Sequence, residues 1–166
     1  MLFEKFGEMG SYEEINELAE NLLAEGDTES LKAMAKENGI SEDYVEFFMS
    51  GEIPMLCDAL DAAIGKLDLE AKEIEAEGIM VDWVDYIEAQ CMENEKLALQ
   101  VRTKEKSLKG CIGKLMAWGF KHKKTIDKDI VTAAGINASR VDFGMPGMAE
   151  AKRLIREYYF GGDRNA

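Results

Sequence analysis

Few side chains in this sequence could do covalent chemistry. There is one histidine, His122, set among lysines, and three cysteines, Cys57, Cys91 and Cys111, widely spaced with no CxxC pair. One imidazole and three dispersed thiols do not make a recognisable zinc site. No Walker-type phosphate loop, GxSxG or HExxH occurs. The stretches DTES and SEDYVE lack the regular alternation and the glycine of a calcium loop. Carboxylates are abundant, but their spacing singles out no metal-binding set. The expectation is a protein with no catalytic residues, no metal and no cofactor, in short not an enzyme.

What remains is charge, and it is divided between the two ends of the chain. Residues 1–98 hold 26 Asp/Glu against 6 Lys/Arg, a net of −20, and residues 99–166 hold 14 Lys/Arg against 7 Asp/Glu, a net of +7. Charge asymmetry of this kind points to interaction. Across residues 4–95 a carboxylate face gathers Glu13, Glu14, Glu17, Glu20 and Glu25, with Glu42, Asp43 and Glu46 further on. Solubility alone accounts for most such faces. The sharper reading is competition for a basic channel, with association that weakens as salt rises.

The run from 102 to 124 is the opposite case, with eight Lys/Arg and one acid, Glu105. Lys109, Lys114, Lys121, Lys123 and Lys124 could neutralise phosphates and so hold nucleic acid without reading sequence. A solvated helix face, or an internal partner for the acidic half, explains the same run. Trp118 and Phe120 lie beside the apolar stripe of this segment and read as core.

Helices must position these charges. Ser11 with Glu14 makes a capping box, followed by the stripe Tyr12, Ile15, Leu18, Ala19, Leu22, Leu23. A second helix runs from about residue 28 to 38, and a third, capped by Ser41, carries Tyr44, Val45 and Phe48. Pro54 suits the first turn of a fourth. Residues 66–78 are sparse in apolar positions and high in charge, so 67–78 reads as an acidic linker or frayed helix. Met80, Trp83, Val84, Ile87 and Cys91 stripe the next helix, and the period-two run Leu97, Leu99, Val101 sits among helix formers. Ser107 opens a helix with Leu108, Cys111, Ile112, Leu115, Met116 and Gly119 on its apolar side. A short one follows around 127–134. Pro146 starts the last, with Met148, Ala151, Leu154, Ile155, Tyr158 and Tyr159 inward, until Gly161 and Gly162 end it.

The predicted fold is all-α, about eight short helices in an irregular bundle. It is either one domain or two small lobes, 1–66 and 79–166. At 166 residues and 46% apolar composition a real core is possible. No run approaches the roughly 20 apolar residues of a membrane span, and the start has no signal-peptide core. With free, buried thiols this implies a cytoplasmic protein.

Residues 31–52 have the layout of a helix-turn-helix. Its second helix would bring Glu42, Asp43 and Glu46 against phosphates, so a tight helical hairpin is the better reading. Residues 132–159 are superficially similar, but the central VDFGMPG reads as a fixed turn that positions the final helix.

The segments LFEKFGEMGSYEEINELAENLLAEGD, NGISEDYVEFFMSGEIPMLCDALDAAIGKLD, SLKGCIGKLMAWGF, AAGINASRV and GMPGMAEAKRLIREYYFGG together resemble a type II-A anti-CRISPR family carried by phages and other mobile elements. Residues 107–135 are in turn similar to PcfK-like proteins encoded beside conjugation genes. The first resemblance implies a non-enzymatic inhibitor, acting in a bacterial host, that binds the type II CRISPR effector nuclease with or without its guide RNA. It carries no map of contact residues and no oligomeric state. The second implies a conjugation-associated nucleic-acid-binding or scaffold protein working through the basic segment.

Overall fold

The computed structural model describes residues 2–161. Among them nine helices follow in order: α1 (Tyr12–Ala24), α2 (Thr28–Glu37), α3 (Glu42–Ser50), α4 (Ala59–Glu73), α5 (Ile79–Glu93), α6 (Glu95–Arg102), α7 (Leu108–His122), α8 (Lys128–Ala133) and α9 (Met148–Phe160). The fold is all-α. Two two-residue strands, β1 (Lys124–Thr125) and β2 (Asp142–Phe143), pair antiparallel around α8.

Local chemistry sets most helix ends. The hydroxyls of Ser11, Ser41 and Ser107 and the carboxylate of Asp27 each accept from a backbone N–H of the first turn they cap. The expected box at α1 is shifted by one residue. Ser11 accepts from the Glu14 N–H at 3.2 Å, while the Glu14 carboxylate accepts from the Gly10 N–H at 2.8 Å.

The fourth helix begins five residues after Pro54, at Ala59, with Asp58 and Asp61 forming a reciprocal capping box. The delay has a cause in α1. Buried Asn16 donates to the Cys57 carbonyl and accepts from the N–H groups of Leu56 and Cys57, which holds that segment extended against the helix. Pro146 likewise lies before its helix, and Gly147 takes the cap position of α9. Gly161 closes α9 in the left-handed conformation, and Gly162 lies outside the described residues.

Two apolar clusters form the interior. One joins α1–α3 through Ile15, Ala19, Leu31, Met34, Val45, Phe48 and Leu56. The other joins α4–α7 and α9 through Leu67, Trp83, Ile87, Val101, Leu108, Leu115, Leu154, Ile155 and Tyr159. Helix α4 serves both: Ala62 belongs to the first and its neighbour Ala63 to the second. Gly39, at φ 80° after α2, packs directly on Gly65 of α4, where a Cβ on either would run into the other's backbone. The close approach needs both glycines.

Of the expected linker or frayed helix at 67–78, residues 67–73 are instead ordered helix and only 74–78 are irregular. Helix α4 continues through Glu73, with Lys66, Leu67 and Glu70 buried. Of its charges Lys66 and Glu70 point inward to polar partners, while Asp68, Lys72, Glu73, Glu75 and Glu77 are exposed. The chain breaks only after α4, where Glu75 takes φ 51° before α5 begins.

Candidate functional site

All eight residues of the expected acidic face are exposed: Glu13, Glu14, Glu17, Glu20 and Glu25 on or just after α1, and Glu42, Asp43 and Glu46 on α3. Glu13 and Glu14 lie in the first turn of α1, and Glu42 and Asp43 in that of α3. The partial positive charge of a helix start favours carboxylates there. Glu14 is held by the Gly10 N–H, with Lys104 3.5 Å away, and these contacts lower its pKa. The other seven form no ion pair with a described residue. Tyr44 and Phe47 stand exposed among the α3 carboxylates. The helical hairpin of α2 and α3 therefore presents acid and aromatic surface.

The basic run behaves differently, because the fold buries Arg102 and gives several of its lysines partners within the molecule. Arg102 is buried, and its Nε donates to the Met9 carbonyl at 2.9 Å. Its Nη1 donates to the carbonyls of Ala62 at 3.1 Å and Asn38 at 3.3 Å, and its Nη2 to the Asn38 side chain. Lys106 donates to the Tyr158 carbonyl at 2.7 Å and lies over that residue's ring. Lys109 pairs with Glu73 at 2.7 Å and Lys114 with Glu157 at 3.1 Å, and each hydrogen bond lowers its carboxylate's pKa.

Of the five lysines expected to contact nucleic acid, Lys109 and Lys114 thus already have anionic partners on α4 and α9. Lys121, Lys123 and Lys124 form no ion pair with a described residue, and they cluster where α7 ends and β1 begins.

Phe120, expected in the core, is 75% exposed. The reason lies next to it. Gly119 is the buried position of that turn, its backbone pressed on Gly144, and the following side chain swings outward. Met116 and Met148, expected inward, are exposed as well. Pro146 is buried and Met145 packs on the larger cluster, so the VDFGMPG stretch fixes the start of α9.

Sequence reasoning missed a buried polar cluster between the two apolar cores. Lys66 pairs with Glu8 at 2.5 Å and donates to the carbonyls of Thr103 and Lys106, both at 2.7 Å. Glu70 accepts from the Leu108 N–H at 2.7 Å, supporting the start of α7, while burial raises its pKa. Glu37 and Asn38 accept from the N–H groups of Lys5, Phe6 and Met9, which ties residues 5–9 to the end of α2. The one available signal was four helix-compatible charges, Lys66, Glu70, Glu37 and Arg102, at positions in phase with apolar stripes. These groups join elements distant in sequence, so the cluster is a structural clasp.

The three thiols are free and buried, and desolvation pushes each up to about 12. Thiolate chemistry at neutral pH is closed to them. His122 stacks on Trp118 at 4.3 Å, with Nδ1 2.8 Å from the Trp118 carbonyl. No group of three or more His, Cys, Asp or Glu among the described residues could hold a metal ion. No helix among them is long and apolar enough to cross a membrane.

No family model, curated protein or solved structure matches this chain.

Proposed function

We propose that this protein is a non-enzymatic inhibitor that binds a basic protein channel through the carboxylate face of α1 and α3. The observation that carries the reading is the difference in neutralisation. Seven of the eight face carboxylates lack an ionic partner among the described residues, while Arg102, Lys104, Lys106, Lys109 and Lys114 of the basic run have partners within the molecule. An unneutralised, helix-mounted anionic surface complements a positively charged groove, raises association rates and suppresses anionic partners.

The resemblance to type II-A anti-CRISPR proteins supplies the partner, the type II RNA-guided nuclease. Such a nuclease holds its guide–target heteroduplex in positively charged channels. The acidic face would occlude such a channel or hold a nuclease domain away from its working position.

The test uses purified protein, the nuclease with and without guide RNA, and labelled target DNA, read for both binding and cleavage. Direct association that weakens with salt, together with loss of cleavage, supports the proposal. Unimpaired cleavage at large excess over several type II nucleases overturns it for this partner. Reversing Glu13, Glu17, Glu20 and Glu25 to lysine in the folded protein should abolish inhibition. Unchanged inhibition would remove this face as the contact surface.

A further inference from the structure

A second surface, at the opposite end of the charge division, has a composition that solubility does not explain. Phe120 and Phe143 are 75% and 61% exposed. Isolated exposed apolar residues are ordinary, but here each phenylalanine adjoins a glycine of one backbone contact. The backbone contact of Gly119 with Gly144 sets the residue after one glycine beside the residue before the other. Lys123 reaches over the Phe120 ring, its ammonium 4.4 Å from the centroid, and its Cβ lies against Gly144. In the strand pair Lys124 is directly opposite Phe143, so the two side chains share a face. Lys121 follows Phe120 at the end of α7.

The strand pair also sorts charge by face. Thr125 and Asp142 are the other opposed pair and point to the other side. There the Asp142 carboxylate accepts from the Thr125 hydroxyl at 2.8 Å and from Arg140 Nε at 2.9 Å. The Asp142 carboxylate is therefore turned to that side and paired with Arg140, with Lys123 also near enough to help lower its pKa. Lys123 lies over the Phe120 ring and Lys124 shares the face of Phe143, with exposed Lys121 next in sequence to Phe120. The carboxylate face belongs to α1–α3, on the other apolar cluster.

We propose that this tip, Phe120, Phe143, Lys121, Lys123 and Lys124, is a binding platform for single-stranded nucleic acid. Exposed rings stack on unpaired bases whatever their identity, and adjacent ammonium groups neutralise the backbone beside them. A duplex offers phosphates to the lysines but keeps its bases stacked and leaves the rings in water. Three exposed lysines without an ionic partner among the described residues favour a polyanion, so charge complementarity selects this occupant over an apolar one. The platform is independent of the inhibitory contact, and either can stand without the other.

The test is fluorescence anisotropy of the full chain with a labelled oligonucleotide of about 20 nucleotides as single-stranded DNA, single-stranded RNA and duplex, across a salt series. Single strands should bind more tightly than duplex. Phe120→Ala and Phe143→Ala should each weaken single-strand binding about 5- to 150-fold. Lys123→Gln and Lys124→Gln should each flatten the log–log salt slope by roughly 0.7. All four positions are exposed, and circular dichroism confirms that the variants fold.

Absence of binding at low salt overturns the proposal. Equal affinity for duplex, with the phenylalanine variants unchanged, also overturns it, since charge alone would then act. Sedimentation of the same proteins covers the remaining occupant. A dimer that Phe120→Ala and Phe143→Ala convert to monomer makes the tip a self-interface and overturns the proposal. Nuclease inhibition retained in variants that have lost strand binding confirms that the two surfaces are separate.

Discussion

The acidic face and the basic run are both dense in charge, but they meet the fold in opposite ways. On α1 and α3 the carboxylates occupy the side away from Ile15, Ala19, Val45 and Phe48, so burying the apolar stripe leaves them in solvent. In the run from 102 to 124, Arg102 sits on the packed side of α6, and Lys106 crosses to α9. Lys109 and Lys114 lie over carboxylates of α4 and α9. Charge density along a sequence therefore says little about surface potential. What matters is whether a charged position falls on the solvent side of its helix, and whether a neighbouring helix presents the opposite sign.

The largest test of that contrast is Arg102. Replacing it with Met removes the donors to Met9, Asn38 and Ala62 in the interior and should lower unfolding free energy by about 3–5 kcal/mol. Urea denaturation measures it, and a loss near zero would show that Arg102 is not the joint between the two clusters. Next is Gly39→Ala, which sets a Cβ against Gly65 at positive φ and should cost about 2–4 kcal/mol. A neutral result would mean that α2 can move off α4 freely.

A smaller effect belongs to Glu70→Gln. Burial raises the pKa of Glu70 in the folded chain, so the native state holds its proton more tightly than the unfolded chain does. Its contribution is fully present below the ordinary carboxylate range, near pH 4, and is lost as pH rises through the raised value. Glutamine keeps an acceptor for the Leu108 N–H without that ionisation. The variant's stability relative to the native sequence should therefore improve between acid and neutral pH. Parallel stability curves would contradict this role.

The smallest effect is expected at the surface pairs. Lys109→Gln and Lys114→Gln should each move the melting temperature by no more than ~2 °C. Lysine at Glu17 and Glu20 should leave it similarly unchanged while altering association with a basic partner. If the lysine and glutamate changes shifted partner binding equally, the contrast between the two regions would fail.

Much of the helix inventory was legible because its signals are local. Ser11, Ser41 and Ser107 cap their helices wherever the rest of the chain goes, and the stripe of α1 follows from helical period alone. The solvent position of Glu17 or Glu20 was readable for the same reason. Residues 66–73 were not, since a Lys and a Glu beside Leu67 look solvated until Glu8, Thr103 and Leu108 arrive from distant segments. Pro54 misled in the same way, because its helix start was displaced by Asn16, about 40 residues earlier.

By itself, the sequence determined that this protein is helical, where most helices begin and end, and that its charge is divided. Those properties depend on interactions within one or two helical turns. Only the tertiary structure decided which charges face water. It drew Arg102 and Lys66 into a clasp between two cores, paired Lys109 and Lys114, and exposed Phe120 and Phe143 beside three free lysines. A charge is neutralised, and a ring covered, by neighbours distant in sequence, and no local pattern records which neighbours those will be.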